Sequence, residues 1–226
     1  MKAFICGGGC GEQTAEANRR LSEVIDNTKP ILYVPLALPA DTYDSCYEWV
    51  SGELAQVDVP RIDMVRSGAE LAAADLGGYS ALFIGGGNTF KLLSELKESG
   101  AFESIRDYLR HDGVVFGSSA GAIILGRSID LAKFEDENEA GLRDLDGFDV
   151  MEGVSFFCHY GSGSAEHTAH SDEYLRRLPA GREIAVLPEE ITLFLNGSRA
   201  EVIGEGDLHC VLNGRRRELF PAHGTD

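Results

Sequence analysis

The sequence is poor in basic residues, and this scarcity limits the partners it can bind. It has 20 Lys and Arg against 37 Asp and Glu, which gives a formal net charge of −17 over 226 residues. Nucleic acids and anionic lipid surfaces attract proteins through a positive field. We therefore expect neither nucleic acid nor membrane among its partners.

Long apolar runs and a cysteine framework are also missing. No run reaches the roughly 18 apolar residues that a membrane-spanning helix needs, and the stretch from Met1 to Cys6 passes into glycines too early for a signal peptide. The five cysteines are scattered and odd in number, which is typical of a reducing compartment. Cys6 and Cys10 lack further ligands at zinc spacing. These features predict a cytoplasmic protein with no metal and no cofactor.

What the sequence does have is an alternation of short apolar runs and amphipathic stretches. The predicted strands are 3–6, 31–35, 61–65, 81–84 and 114–116, and the predicted helices are 14–25, 43–54, 90–97 and 102–109. This alternation predicts an α/β fold in which a mostly parallel sheet is flanked by helices. We expect one domain over residues 1–226.

After about residue 182 the pattern changes to short strands separated by turn residues. These strands are predicted at 183–187, 191–195, 200–203, 208–212 and 218–220. Asn196-Gly197 and Asn213-Gly214 are typical of tight hairpin turns. The C-terminal part is therefore predicted as an antiparallel β-meander that extends the sheet or packs beside it.

The pentapeptide Gly117-Ser118-Ser119-Ala120-Gly121 joins an apolar strand to a helix-like run. In a Gly-x-Ser-x-Gly turn the central serine lies in a strained bend, and its hydroxyl projects into a cleft. Ser119 is therefore the candidate nucleophile. A serine that merely caps the following helix would leave the same pattern.

Two glycine runs follow predicted strands, and in an open α/β sheet such strand ends share one edge. Gly7-Gly8-Gly9 lacks the Gly-x-Gly-x-x-Gly spacing of a nucleotide site. The second run, Gly85-Gly86-Gly87, precedes Asn88 and Thr89 and exposes backbone amides, as an oxyanion hole requires. The alternative is a helix start that Asn88 or Thr89 caps.

A serine nucleophile needs a base, and histidine has the appropriate pKa. His159 follows the apolar run 154–158, so it should lie at the carboxyl end of a strand. His167 and His170 are predicted as loop residues that could contact substrate, and His111, His209 and His223 are predicted at the surface or in hairpins.

A carboxylate should orient the histidine. The acidic run 135–139, preceded by Asp130, lies between Ser119 and His159, and elbow-based hydrolases use this order of nucleophile, acid and histidine. A solvated acidic loop would look the same.

Three segments together are similar to one known family. The segments are Phe83-Ile84-Gly85-Gly86-Gly87-Asn88-Thr89-Phe90-Lys91-Leu92-Leu93, Gly117-Ser118-Ser119-Ala120-Gly121-Ala122 and Cys158-His159-Tyr160. Together they resemble the dipeptidase E (aspartyl dipeptidase) family of serine peptidases, which includes cyanophycinase. The segment Leu187-Pro188-Glu189 agrees as well. The resemblance implies a fold like that of class I glutamine amidotransferases. It also implies a serine exopeptidase that cleaves dipeptides or short peptides, after an N-terminal acidic residue in the best-known members.

The resemblance also implies roles for individual residues. Ser119 would be the nucleophile and His159 the general base. The amides of Gly87 and Ala120 would form the oxyanion hole, with Asn88 as an alternative donor. Counting forward from the serine motif leads to Phe134 or Glu135, and counting back from the histidine leads to Glu137. We favour Glu137 as the third carboxylate, with Asp136 next. We expect a small peptide as the partner and consider a homodimer.

The sequence departs from the family pattern around the substrate. Ile123 replaces an asparagine, and the basic and acidic residues that hold an aspartyl substrate in the family have no clear match beyond His159. An acidic substrate side chain would need a cation such as Arg127, Arg176 or Arg177 in the cleft. Two alternatives stay open: a catalytically degenerate binding or regulatory protein of this fold, and a related amidohydrolase or esterase.

Overall fold

The computed structural model describes residues 1–205, 208–212 and 215–220, with side chains in the first of these segments. The predicted turn at Asn213-Gly214 and the predicted surface residue His223 lie outside the described residues. None of the helices in the described segments has the length and hydropathy to traverse a bilayer.

Eleven strands form two sheets within these segments. They are β1 (Lys2–Cys6), β2 (Ile31–Val34), β3 (Ile62–Met64), β4 (Ala81–Ile84), β5 (Val114–Ser118), β6 (Val154–Phe157), β7 (Glu183–Val186), β8 (Thr192–Asn196), β9 (Arg199–Ile203), β10 (Leu208–Leu212) and β11 (Arg215–Phe220). The main sheet has the order β3-β2-β4-β5-β1-β8-β9. Its first five strands are parallel, and β8 and β9 are antiparallel. The predicted mostly parallel sheet is confirmed.

The second sheet divides the predicted meander. Its order is β11-β10-β7-β6, so β8 and β9 extend the main sheet while β7, β10 and β11 belong to the other. β7 pairs in parallel with β6 and antiparallel with β10. Because β6 and β7 run in the same direction, the residues that follow them emerge at the same edge of the second sheet.

The helices are α1 (Ala15–Val24), α2 (Tyr43–Glu53), α3 (Gly68–Ala73), α4 (Thr89–Ser99), α5 (Ala101–Arg110), α6 (Ala120–Ile123) and α7 (Ala165–Arg177). The helices α1, α2, α4 and α5 were predicted within a few residues. His167 and His170 lie on α7, so their prediction as loop residues was wrong. Ser164 caps this polar helix by accepting the amide of His167 at 3.2 Å, and Ser171 and Leu175 are its buried residues.

The central strands are buried on both faces, which explains their continuous apolar sequences. Phe4, Phe83 and Phe116 stack on one face with ring centroids 4.9 and 5.5 Å apart. Cys6 pairs with Ser118 and Ile84 pairs with Gly117, so β1, β4 and β5 end at the same level. The segments that follow these strands build the site.

Candidate active site

Ser119 lies between the end of β5 and the start of α6 with φ of +53° and ψ of −113°. A positive φ is strained for a residue with a side chain and persists only where the surroundings enforce it. A Cβ atom at Gly117 would lie 2.3 Å from the Gly121 carbonyl oxygen, and one at Gly121 would lie 2.1 Å from that of Ile84. Glycine is therefore required at both positions. The turn at Ser119 has the strained conformation that the pentapeptide predicts.

A chain of two hydrogen bonds leads from the serine hydroxyl to a carboxylate. Ser119 Oγ lies 2.7 Å from His159 Nε2, and His159 Nδ1 lies 2.8 Å from Glu189 Oε1. Both side chains of the second pair are about two-thirds buried, with 31% and 29% of their surface exposed. This arrangement can activate a hydroxyl and stabilise the imidazolium that forms.

The carboxylate at the histidine is therefore Glu189, and the sequence prediction of Glu137 or Asp136 for this contact is corrected. Both ring nitrogens of His159 are already occupied. Asp136 Oδ2 instead accepts the Thr89 amide at 2.8 Å at the start of α4. Glu137 is exposed and contributes its backbone carbonyl, which accepts a hydrogen bond from the Asn88 side chain at 2.9 Å.

The sequence places Glu189 shortly after the predicted strand 183–187, but the strand that lies beside it is visible only in the structure. Glu189 follows β7, and His159 follows β6, which is the parallel neighbour of β7. The sequence prediction treated the strands after residue 182 as an antiparallel meander. Antiparallel neighbours end at opposite edges of a sheet, so this prediction gave no reason to expect Glu189 close to His159. The segment Leu187-Pro188-Glu189 supports the family resemblance, but the sequence prediction did not connect its glutamate with His159.

The glycine run after β1 holds the histidine and its carboxylate together. The Gly9 amide donates to the Glu189 carbonyl at 3.1 Å, and the His159 amide donates to the Gly7 carbonyl at 2.9 Å. Gly8 has φ of +119°, and a Cβ atom there would lie 2.1 Å from Cε1 of His159. Glycine is required at this position because the imidazole fills the space of a side chain.

Two of the three predicted oxyanion donors are available. The amides of Gly87 and Ala120 have no acceptor within the described segments. The Asn88 amide donates to the Ala37 carbonyl at 2.9 Å, and the Asn88 side chain caps α4 by accepting the Lys91 amide at 2.9 Å. The inclusion of Asn88 is therefore corrected: it begins the helix and leaves Gly87 to face the cleft.

Two cavities meet at Ser119 and His159. One of about 590 Å³ is bordered by Gly87, Thr89, Phe134, Glu135, Asp136 and His167. The other, of about 480 Å³, is bordered by Tyr33, Leu38, Cys46 and Trp49. Trp49 is 44% exposed, which leaves an indole face open beside the site. A short chain that crosses Ser119 can place one side chain in each cavity.

Cys158, which directly precedes His159 in the sequence, does not compete with Ser119 as a nucleophile. Burial raises the pKa of the Cys158 thiol well above its ordinary value, so the reactive thiolate does not form near neutral pH. Its Sγ lies 3.9 Å from the Cys6 carbonyl oxygen and 3.8 Å from that of Ser119. Cys158 packs beneath the elbow as a small apolar group.

Known proteins are similar to this chain over most of its length. The sequence model of Peptidase family S51 matches residues 3–203. Peptidase E of Pasteurella multocida strain Pm70 is 31% identical over 205 residues, which cover 87% of this chain and 84% of that protein. Peptidase E of Haemophilus influenzae strain PittGG is 29% identical over 209 residues, with the same coverage of 87% and 84%.

Solved structures share the fold at lower identity. A putative peptidase E protein from Listeria monocytogenes EGD-e has a TM-score of 0.72 and 19% identity and covers 91% of this chain and 98% of its own. A peptidase from an acI-B1 Actinobacterium has a TM-score of 0.70 and 15% identity, with 96% of each chain covered. The match to the family model over most of the chain decides the assignment: the protein belongs to Peptidase family S51 and is a serine-type peptidase.

Proposed function

We propose that this chain hydrolyses dipeptides or short peptides through an acyl-enzyme on Ser119. The observation that carries the proposal is the pair of contacts from Ser119 Oγ to His159 Nε2 at 2.7 Å and from His159 Nδ1 to Glu189 Oε1 at 2.8 Å. A hydroxyl at a strained turn beside an oriented imidazole is the arrangement that acyl transfer requires.

In the first half of the reaction, Ser119 Oγ attacks the scissile carbonyl carbon while His159 Nε2 takes the hydroxyl proton. The carbonyl oxygen becomes an oxyanion, and the amides of Gly87 and Ala120 donate hydrogen bonds to it. The carbon–nitrogen bond then breaks, and His159 gives its proton to the departing amine. His159 then takes a proton from a water molecule, which attacks the ester carbonyl carbon. The bond to Ser119 Oγ breaks, and His159 returns the proton to Oγ as the free acid is released.

Glu189 acts on His159 rather than on the substrate. Its carboxylate accepts the Nδ1 proton, which keeps Nε2 free to act as a base, and it stabilises the positive imidazolium after proton transfer. The backbone bonds between the glycine run and the segment around Glu189 support this role because they fix the distance between the two side chains.

A test of the proposed function combines covalent labelling with turnover. A fluorophosphonate probe should label the protein on Ser119, because only an activated serine reacts readily. A dipeptide panel should be hydrolysed in the same preparation, with release of the free amine measured directly. A folded protein that neither reacts with the probe nor cleaves any dipeptide would be a degenerate member of the family.

Gly8→Ala is expected to lower kcat by about 100-fold, since the new methyl group displaces the imidazole and a small misplacement of a catalytic group has effects of this size. The clashing atoms belong to the side chain of His159, and because a φ of +119° also strains an alanine backbone, the melting temperature is measured beside kcat.

Gly11→Ala provides the matched control for this substitution. Gly11 also has a positive φ, of +58°, but a Cβ atom there meets nothing within 4 Å. Both variants place alanine at a positive φ, with the greater backbone strain at position 8, but only Gly8→Ala introduces a clash with the imidazole, so only this variant should lose activity as folded protein. Equal kcat values for both would contradict the role given to Gly8.

A further inference from the structure

The cavity of about 590 Å³ beside Ser119 is acidic. Glu135 and Asp136 border it, and no lysine or arginine does so among the described residues. An acidic substrate side chain, which the family resemblance implies, would meet two carboxylates, and the basic groups at this cavity are the imidazoles of the base His159 and of His167, which already pairs with Glu135. Burying a charge in such surroundings is unfavourable.

The arginines that the sequence offered as substrate ligands lie elsewhere. Arg176 donates through Nε to the Asp172 carbonyl at 3.1 Å, and Arg177 pairs with Glu173. Arg127 borders a separate cavity of about 300 Å³. None of these side chains borders the cavity next to Ser119.

Three oxygen acceptors in this cavity have unused capacity. Asp136 uses Oδ2 for the Thr89 amide, and Glu135 uses Oε1 for His167 Nε2 at 2.8 Å. The second oxygen of each carboxylate has no donor within the described segments. Thr89 is fully buried, and its hydroxyl likewise has no partner there. A buried hydroxyl without a partner is uncommon, and a donor group on a bound substrate would satisfy it.

We propose that this cavity binds the basic side chain, lysine or arginine, of the substrate residue whose carbonyl Ser119 attacks. This rests on the proposed peptidase function. Gly87, one of the two proposed oxyanion donors, borders this cavity and not the one that contains Trp49, and for this reason we assign the attacked residue to the acidic side. Ile123, Phe134 and Phe156 provide an apolar wall for the methylene stem.

The charge of the whole protein favours the same class of substrate. A net charge of −17 attracts cationic peptides and repels acidic ones over distances longer than a contact. The carboxylates at the cavity and the negative field of the whole protein therefore both favour a basic substrate side chain. The salt dependence of kcat/KM reports the long-range part, because screening weakens it.

The experiment compares dipeptides X-Leu in which X is lysine, arginine, norleucine, alanine or aspartate. Norleucine has the stem of lysine without its charge, so the ratio of kcat/KM for Lys-Leu and Norleu-Leu isolates the ammonium group. We expect a ratio of about 30, since hydrogen bonds to charged groups have effects of this order. Asp-Leu should fall below Norleu-Leu.

Two variants assign the effect to the cavity. Glu135→Gln should lower the ratio of kcat/KM for Lys-Leu and Norleu-Leu about tenfold, and because both substrates are measured on the same variant the ratio is independent of its basal activity. Thr89→Val keeps the shape of a fully buried side chain while removing the unpartnered hydroxyl, so it should fold normally and lower the ratio several-fold. Glu139→Gln removes an equal charge from an exposed position in the same acidic run and should leave the ratio unchanged.

The results separate this proposal from the peptidase function itself. Hydrolysis of the panel with no preference for lysine over norleucine, or with Asp-Leu preferred, overturns the basic specificity alone. An equal loss of preference in Glu135→Gln and Glu139→Gln also overturns it, because the effect would then be a general field. Absence of hydrolysis for every dipeptide contradicts the peptidase function and this proposal together.

Discussion

Ser119→Ala should reduce kcat by about 10⁶-fold, the largest effect expected for any single substitution in this chain. Without the hydroxyl no acyl-enzyme forms, and His159 has no proton to take. Covalent labelling by a fluorophosphonate probe should disappear in the same variant. Turnover is best measured at substrate concentrations well above KM, so that the loss is assigned to the chemical step.

The fold of this variant should be unaffected. Alanine carries the same Cβ atom as serine and fits the same φ of +53°, and only the hydrogen bond to His159 is lost. The free energy of unfolding should change by less than about 1 kcal/mol. Wild-type turnover in a variant that melts like the parent would show that another residue is the nucleophile.

Glu189→Gln is expected to lower kcat by about 10³- to 10⁴-fold with a small change in KM. Glutamine is uncharged, so it stabilises the imidazolium less. Its amide can also donate to Nδ1 of His159, which favours the tautomer that carries its proton on Nε2 and cannot act as a base. Because the residue does not touch the substrate, kcat rather than KM should report the change.

The matched control is Glu137→Gln, at the position that the sequence motifs indicated. Glu137 contributes its backbone carbonyl to the Asn88 side chain, and a change of its side chain leaves this bond in place. Its kcat should stay within about twofold of the parent, which is the scale of an exposed substitution. If Glu137→Gln lost activity and Glu189→Gln did not, the assignment from the 2.8 Å contact would be wrong.

The elements that local sequence dictates were predicted well. Four of the five parallel strands (β1, β2, β4 and β5) have largely apolar sequences, and the helices α1, α2, α4 and α5 have helical spacing, so local pattern indicates their positions. The edge strand β3 is only partly buried and contains Asp63. α7 was missed because its interior face is narrow, with Ser171 and Leu175 as its buried residues in a largely polar helix. The split of the C-terminal strands between two sheets has no local signature, since any of them can pair with several neighbours.

The sequence by itself was enough to select Ser119 and His159 as the candidate nucleophile and base. The strained turn around Ser119 and the position of His159 after an apolar strand are local features, which the structure joins at 2.7 Å. Only the tertiary structure decided the carboxylate, because Glu189 is 30 residues beyond the histidine and reaches it through the parallel pairing of β6 with β7. It also decided the charge of the substrate cavity. Which carboxylates face a cleft depends on how separate segments pack, and spacing along the chain does not carry that information.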